Sequence, residues 1–300
     1  MDALARAGRA PQGKALAFLA LVAAGGFWGM GFPLGKMIMA ETDAAHVVML
    51  RFTVAALAAA PFALRNAATR RLFRSPVILF GGALYGLAFL VQFEGLARTS
   101  VTLSALLVGA MPAFIAVSAR LLGETVSRVA WIGVAAATLG AAIIAGKPDG
   151  AGSVLGVVLA LSALLVFLAW LHLVRRAPPS PAPLAVTAAT IMVALATVAP
   201  IAFVMHGPPN LALSPMAWAG VIGQGVLATL LATAAWQYGA ARLGSATAGV
   251  FINMEPLIGA AIGVALFGDH LTPALGIGGA LIITGSLAVV LGEPRPPAEV

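Results

Sequence analysis

The sequence contains no cysteine and unusually few charged residues. The absence of cysteine among 300 residues excludes disulfide bonds, thiolate metal sites and cysteine nucleophiles. Charged residues make up 9% of the chain, whereas a soluble domain averages about 25%. The four histidines lie near the ends of apolar segments, without the spacing of metal ligands. We therefore predict no metal site, no cofactor and no catalytic cluster.

Hydrophobic residues dominate instead, at 61% of the chain, which is typical of an integral membrane protein. The net charge of +7 does not indicate nucleic-acid binding, because the basic residues lie in short gaps between apolar runs. The first apolar run is longer than the hydrophobic part of a signal peptide, and many others follow it. We predict that it is an uncleaved first span.

Ten segments are apolar and long enough to cross the bilayer as helices, which takes about 20 residues each. They are residues 15–38, 46–64, 76–97, 100–121, 128–146, 153–174, 184–204, 215–238, 245–267 and 272–291. Their continuous hydrophobicity does not fit the alternating strands of a membrane barrel. The predicted fold class is therefore an all-α integral membrane protein with ten transmembrane helices.

Positive charge is distributed unequally between the two sides of the predicted membrane. With the N-terminus inside, thirteen Lys and Arg residues fall on the cytoplasmic side and three on the other. Cytoplasmic loops retain positive charge near the ends of spans. The tails, residues 1–14 and 292–300, are therefore predicted to be cytoplasmic. The protein as a whole is predicted to lie in the plasma (inner) membrane of a bacterium.

The two halves of the sequence resemble each other over about fifty residues at a constant offset of 144. Gly95, Ala97, Arg98 and Pro112 correspond to Gly239, Ala241, Arg242 and Pro256. This offset equals five spans, and an odd number of crossings inverts the second copy relative to the first. Inverted repeats are typical of secondary transporters, whose substrate site lies near the middle of the membrane. We predict two such repeats, residues 15–146 and 153–291.

Three segments carry a resemblance to a known family: LRFTVAALAAAPF in the second span, MPAFIAVSARLLGETVS in the fourth and EPLIGAAIGVALFGDHLT in the ninth. They resemble the duplicated domains of the drug/metabolite transporter superfamily, specifically the EamA-type ten-helix transporters. The resemblance covers residues 15–291 and implies efflux of metabolites or drugs. Within the family, the general likeness is to exporters of aromatic amino acids.

Charged residues within spans are costly and are candidates for function. Glu94 is expected to form an i,i+4 pair with Arg98 at the end of the third span. Arg51 matches an arginine of the family pattern, and a structural or gating role is favoured over substrate selection. Glu255 lies deepest, and we interpret it as a packing or gating residue ahead of proton coupling, with direct substrate contact last.

Two prolines are expected to kink the spans in which they lie. Pro256 follows Glu255 in the ninth span, and its repeat mate Pro112 lies at the matching position of the fourth. Each removes a backbone donor and clashes with the preceding turn, so each is a gating candidate.

Aromatic and polar side chains near mid-depth are candidates for the wall of a substrate cavity. Tyr85, Phe89 and Gln92 share one face of the third span, at i, i+4 and i+7. Their repeat counterparts are Thr229, Thr233 and Trp236. The remaining cavity candidates are Trp28, Gln224, Phe251 and Asn253. In contrast, Trp170 and His172 are expected to belong to an interfacial belt.

The leading hypothesis is a secondary transporter that exports small amphipathic metabolites, with aromatic or hydrophobic amino acids as the best substrates. A multidrug or other metabolite exporter of the same fold, an intramembrane enzyme and a channel are the alternatives. The expected partners are a small-molecule substrate and the lipid bilayer, while the oligomeric state is left open. No ATP-binding motif is present, and uniport, proton antiport and proton symport all stay possible.

Overall fold

A computed structural model describes residues 9–65, 67–146, 152–174, 176, 183–243, 248 and 251–292. Eight of the described helices are long and apolar enough to cross a membrane, and Arg128–Ile144 and Met254–Phe267 are shorter apolar helices. The predicted all-α membrane fold is therefore confirmed. The upstream part of the ninth span and most of both tails lie outside the described residues.

The helices are numbered here by the span to which they belong, and two spans consist of two helices each. The bounds are α1a Arg9–Gly29, α1b Gly31–Ile38, α2 Ala44–Leu64, α3 Pro76–Ala97, α4a Val101–Val108, α4b Met111–Leu121, α5 Arg128–Gly146, α6 Val154–Val174, α7 Pro183–His206, α8 Pro215–Leu243, α9 Met254–Phe267 and α10 Pro273–Gly292. Two single helical turns, Ala67–Arg70 and Arg71–Arg74, connect α2 to α3.

The kinks expected at the two prolines are instead breaks between helices. Pro112 is the second residue of α4b, and Pro256 is the third residue of α9. A proline in the first helical turn loses no intrahelical hydrogen bond, because the first four N–H groups have no partner within the helix. The chain therefore ends one helix and begins another just before each proline. A carbonyl at the first break, that of Gly109, accepts a hydrogen bond from the Ser286 hydroxyl of α10.

The spans pair in a way that reflects an internal two-fold relation. Three helices contact their own repeat mates: α2 contacts α7, α4 contacts α9, and α5 contacts α10. The other two contacts are equivalent to each other, because α3 packs on α6 and its repeat mate α8 packs on α1a. The closest approach joins α5 to α10, where the backbones of Gly133 and Gly285 touch and those of Gly140 and Gly278 touch. One inserted residue in the second repeat raises the offset to 145 beyond Pro256, so Gly133 and Gly278 are repeat equivalents, as are Gly140 and Gly285. Equivalent residues thus exchange partners, as inverted repeats require.

One irregular segment interrupts α8. Residues Gln224–Leu231 form a π-helix, with Thr229 Oγ1 donating a hydrogen bond to the Gln224 carbonyl at 2.8 Å. A π-helix is rare and frequently occurs at functional sites. Since it widens the helix locally, it turns the Thr229 hydroxyl toward α2 of the other repeat.

Candidate functional site

The breaks in three spans meet at one level of the bundle. A Cβ added to Gly29, at the end of α1a, would lie 2.9 Å from the Glu255 carbonyl oxygen. A Cβ added to Gly109, between α4a and α4b, would lie 3.4 Å from Pro256 Cγ. The glycines permit these contacts because they carry no side chain. The helix ends of α1, α4 and α9 therefore converge around Glu255 and Pro256.

Five aromatic rings form a continuous wall beside this level. Tyr85 and Phe89 of α3 lie at right angles with centroids 5.0 Å apart, and Phe52 of α2 meets both edge-on at 5.8 and 5.6 Å. From α6, Phe167 contacts Phe89 at 5.0 Å and Trp170 contacts Tyr85 at 4.7 Å. Edge-to-face rings at these distances attract through their quadrupoles. The wall joins α2 and α3 of one repeat to α6 of the other.

Arg51 lies against this wall and is only 2% exposed. Its Nε donates to Thr229 Oγ1 at 2.8 Å, and one Nη donates to the Ala228 carbonyl at 3.4 Å. The guanidinium carbon lies 4.0 Å from the centroid of the Phe89 ring, a cation–π arrangement. The π-helix of α8 supplies both oxygen acceptors, so Arg51 links the two repeats.

Glu255 lies in the first turn of α9 and is partly buried. A helix N-terminus favours a negative charge, because the free N–H groups there carry partial positive charge. Arg51 and Glu255 lie within electrostatic range of each other and of the phenol of Tyr85. The structure thus brings one cation, one carboxylate and a phenol to the aromatic wall.

The two candidate faces of α3 and α8 also meet. The Tyr85 hydroxyl lies beside the hydroxyl of Thr233, whose own hydrogen bond goes to the Thr229 carbonyl at 2.7 Å. Farther along α8, Trp236 lies 6.2 Å from Trp28 of α1a, measured between ring centroids. Aromatic and polar side chains from both repeats thus face each other across the bundle.

The other candidates lie at different places around this cluster. Gln92 is buried on the same helix as Tyr85 and Phe89. Gln224 is fully buried and donates its amide to the Gly31 carbonyl at the break in the first span. Asn253 is buried immediately before α9 begins. Phe251 contacts Phe18, an exposed residue of α1a, at 5.7 Å, which places it toward the edge of the bundle.

Trp170 and His172, expected from the sequence to belong to an interfacial belt, both make contacts with neighbouring helices. Trp170 stacks on Tyr85, and His172 Nε2 is hydrogen-bonded to the Ser118 hydroxyl at 2.9 Å. Sequence reasoning also missed Phe52 and Phe167 as wall residues. Both are ordinary aromatic residues in apolar helices, so only contacts between distant spans single them out.

Several further polar contacts lie on one face of the bundle, where α1b, α3, α7 and α9 end. We refer to this side, residues 39–43, 98–100, 206–214 and 268–272, as the distal face. Lys36 Nζ donates to the carbonyls of Leu96 at 2.9 Å and Thr99 at 2.8 Å, and the Thr102 N–H donates to Asp269 at 2.7 Å. The Glu94–Arg98 pair expected from the sequence is also present here.

Two carboxylates on the distal face accept hydrogen bonds from other loops or helices. The Ser214 hydroxyl and N–H donate to Glu41 at 2.5 and 2.7 Å, and these bonds hold the pKa of Glu41 below its ordinary value. Burial alone would raise the pKa of Asp43, but hydrogen bonds from His46 and the nearby His46 and His206 rings lower it overall. Both carboxylates are therefore charged at neutral pH.

In the part of the chain that the structure describes, no group of three or more His, Cys, Asp or Glu side chains could hold a metal ion. Two inverted sets of helices around a buried cation and a partly buried carboxylate, with helix breaks at the same level, are typical of inverted-repeat membrane transporters.

The chain belongs to the EamA-like transporter family, because the model of that family matches residues 15–146 and again residues 154–291. An uncharacterized transporter of Archaeoglobus fulgidus is 26% identical over 249 residues, covering 82% of this chain and 86% of the relative. A probable biotin transporter of Pseudomonas aeruginosa is 27% identical over 275 residues, covering 89% of this chain and 95% of the relative.

A solved crystal structure shows the same fold. It superposes with a TM-score of 0.65 at 19% sequence identity, covering 94% of this chain and all of the other. The similarity to these proteins identifies the chain as an integral membrane protein of a transporter family.

Proposed function

We propose that the protein is a secondary transporter that exports small amphipathic metabolites, with aromatic or hydrophobic amino acids as the preferred substrates. The observation that carries this proposal is the juxtaposition of buried Arg51 and partly buried Glu255 with the aromatic wall, where the broken spans meet. Membership of the EamA-like family supports transport in general. The proposed substrate class and mechanism rest on the side chains of this cluster and on the helix breaks.

Each part of an amino-acid zwitterion has a complementary group in this cluster. The guanidinium of Arg51 uses Nε and one Nη for α8, so donors at its other Nη are left for a carboxylate. Glu255 supplies a negative charge for an ammonium group. Tyr85, Phe89 and Trp170 offer ring faces and edges to an aromatic side chain.

The broken spans supply a means of alternating access. Helix segments separated by a break can tilt independently, whereas a continuous helix moves as one body. Because α4 and α9 are repeat mates and their breaks touch, opening at one face is coupled to closing at the other. Pro112 and Pro256 mark the pivots in this proposal, with both termini in the cytoplasm of a bacterium and the repeats at residues 15–146 and 153–291.

Counterflow in proteoliposomes tests this function. Vesicles preloaded with unlabelled solute take up the labelled solute if the protein carries it, with and without a proton gradient. The panel holds tryptophan, phenylalanine, leucine, a cationic drug and biotin, the last because of the relative from P. aeruginosa. We expect saturable counterflow of aromatic amino acids. Absence of counterflow for every solute would refute the proposal, and flux without saturation would favour a channel.

A further inference from the structure

The imidazole of His46, at the start of α2, lies between two hydrogen-bond acceptors on the distal face. Its Nδ1 is 2.6 Å from Asp43 Oδ2, and its Nε2 is 3.0 Å from the carbonyl oxygen of Gly207. The ring is buried at 3% exposure. Both contacts are within normal hydrogen-bond distance, so both nitrogens are engaged.

These partners fix the number of protons that the contact requires. A neutral imidazole has one N–H donor and one acceptor nitrogen, whereas a carbonyl and an ionised carboxylate only accept. Both contacts are hydrogen bonds only if one extra proton resides on the Asp43–His46 pair. The low pKa of Asp43 assigns that proton to the ring. The geometry therefore belongs to a doubly protonated His46.

The contact joins two parts of the bundle that belong to different repeats. Asp43 caps α2 by accepting the backbone N–H of His46 at 3.0 Å, which fixes the carboxylate relative to that helix. Gly207 follows directly on α7, with φ of 76°, a left-handed conformation that suits glycine. Its carbonyl is thereby turned toward α2. The imidazolium thus connects the start of α2 to the end of its repeat mate α7.

We propose that doubly protonated His46 is a positioning residue that holds the distal face closed and releases it when the ring loses a proton. Loss of the proton leaves a lone pair facing either Asp43 or Gly207, and that contact becomes repulsive. The α2–α7 link then weakens, and the distal ends of the two helices separate. The inference rests on the proposed alternating access for its role in transport.

Two other charged or titratable groups near the ring enter the same argument. His206, at the end of α7, has its Nε2 3.8 Å from Asp43 Oδ1, and its ring centroid is 6.0 Å from that of His46. Glu41 lies two residues before Asp43 and is bound by Ser214. His206 is the competing source of any pH response, because imidazoles change charge between pH 5 and 8.

Spin-label distances measure the closure directly, without substrate. The native chain has no cysteine, so Ala40→Cys and Leu211→Cys provide two specific labelling sites at exposed positions of the distal face. In nanodiscs at pH 5.5, we expect one short inter-label distance. At pH 8, a longer distance should appear, with the short population reduced roughly threefold or more.

Three variants in this labelled background separate the roles of the groups. His46→Ala should show the long distance at both pH values. Asp43→Asn should stay closed at both, because an amide can donate to Nδ1 of a neutral ring while still capping α2. His206→Ala should keep the pH response of the parent.

A distance distribution of the parent that does not change between pH 5.5 and 8 would overturn the proposal. A pH response that persists in His46→Ala, or is lost in His206→Ala, would also overturn it. A closed distance distribution in Asp43→Asn would show that a variant of this contact still folds. Because no substrate is added, failure of the proposed His46 contact is distinguishable from failure of the transport function.

Discussion

Replacing Arg51 tests how much the buried guanidinium contributes to folding and how much to transport. We compare Arg51→Lys, which keeps the charge, with Arg51→Met, which removes it at similar length. Neither can reproduce the Nε bond to Thr229 together with the flat contact on Phe89. The charge-assisted hydrogen bond is worth about 1.5–3 kcal/mol and the desolvated cation–π contact about 2 kcal/mol.

The two variants differ in what remains buried. Arg51→Lys loses these contacts, about 3.5–5 kcal/mol in sum, but still places an ammonium group in the bundle. Arg51→Met loses the same contacts but gains stability in another way, because it removes the desolvation cost of a buried ion, which is several kcal/mol. We therefore expect the seemingly conservative Lys variant to be the less stable of the two. Both should lose most counterflow of carboxylate substrates.

Thermal unfolding in detergent gives the stability order, and counterflow in proteoliposomes gives the transport order. The double variant Arg51→Met/Glu255→Gln controls for the carboxylate left without its cation. A methionine variant that is clearly less stable than the lysine variant would refute the reasoning. It would mean that the electrostatic interaction of the lysine ammonium group with Glu255 outweighs the cost of burying that charge.

Four further predictions concern the candidate site and other parts of the molecule. Glu255→Gln keeps the shape of the side chain and should reduce counterflow at least about tenfold with little loss of stability; normal transport at every pH would remove Glu255 from the mechanism. Gly285→Ala places a methyl group 2.7 Å from the Ala137 backbone nitrogen and should destabilise the protein by about 1–3 kcal/mol in thermal unfolding. Gly276→Ala, whose nearest neighbour lies at 4.0 Å, should be neutral or slightly stabilising. Because the Ser214 bonds lower the pKa of Glu41, Glu41→Gln should destabilise at neutral pH, and the difference should vanish as the pH falls below about 4; a difference that persists in acid would contradict this assignment.

The spans were predictable from the sequence because hydrophobic length is a local property. Bounds such as 128–146 and 76–97 coincide with α5 and α3. The inverted repeat was also readable, since repeated glycines and prolines survive at a fixed offset. The helix breaks were only half predicted. Pro112 and Pro256 indicate that the regular helix is interrupted nearby. Whether the helix kinks or restarts depends on which groups donate hydrogen bonds to the freed carbonyls. The donor to the Gly109 carbonyl is Ser286, which lies in a distant span.

The candidate site was predictable as a set of residue types but not as an arrangement. Arg51 and Glu255 are conspicuous because ionised groups are rare within spans. Their association with Tyr85 and Phe89 requires contacts between helices that no local pattern encodes. The π-helix around Thr229 has no periodic signal in the sequence either, although its acceptors hold Arg51 in place. The His46 contact depends likewise on the turn at Gly207.

The exchange of glycine partners between α5 and α10 has a consequence for how this chain can be assembled. A contact in which residue i meets residue j, while the equivalent of j meets the equivalent of i, is an isologous interface of the kind found in C2 homodimers. Here that interface is formed within a single polypeptide. Two separately synthesised halves, inserted with opposite orientations, would meet the same complementary surface as the joined chain.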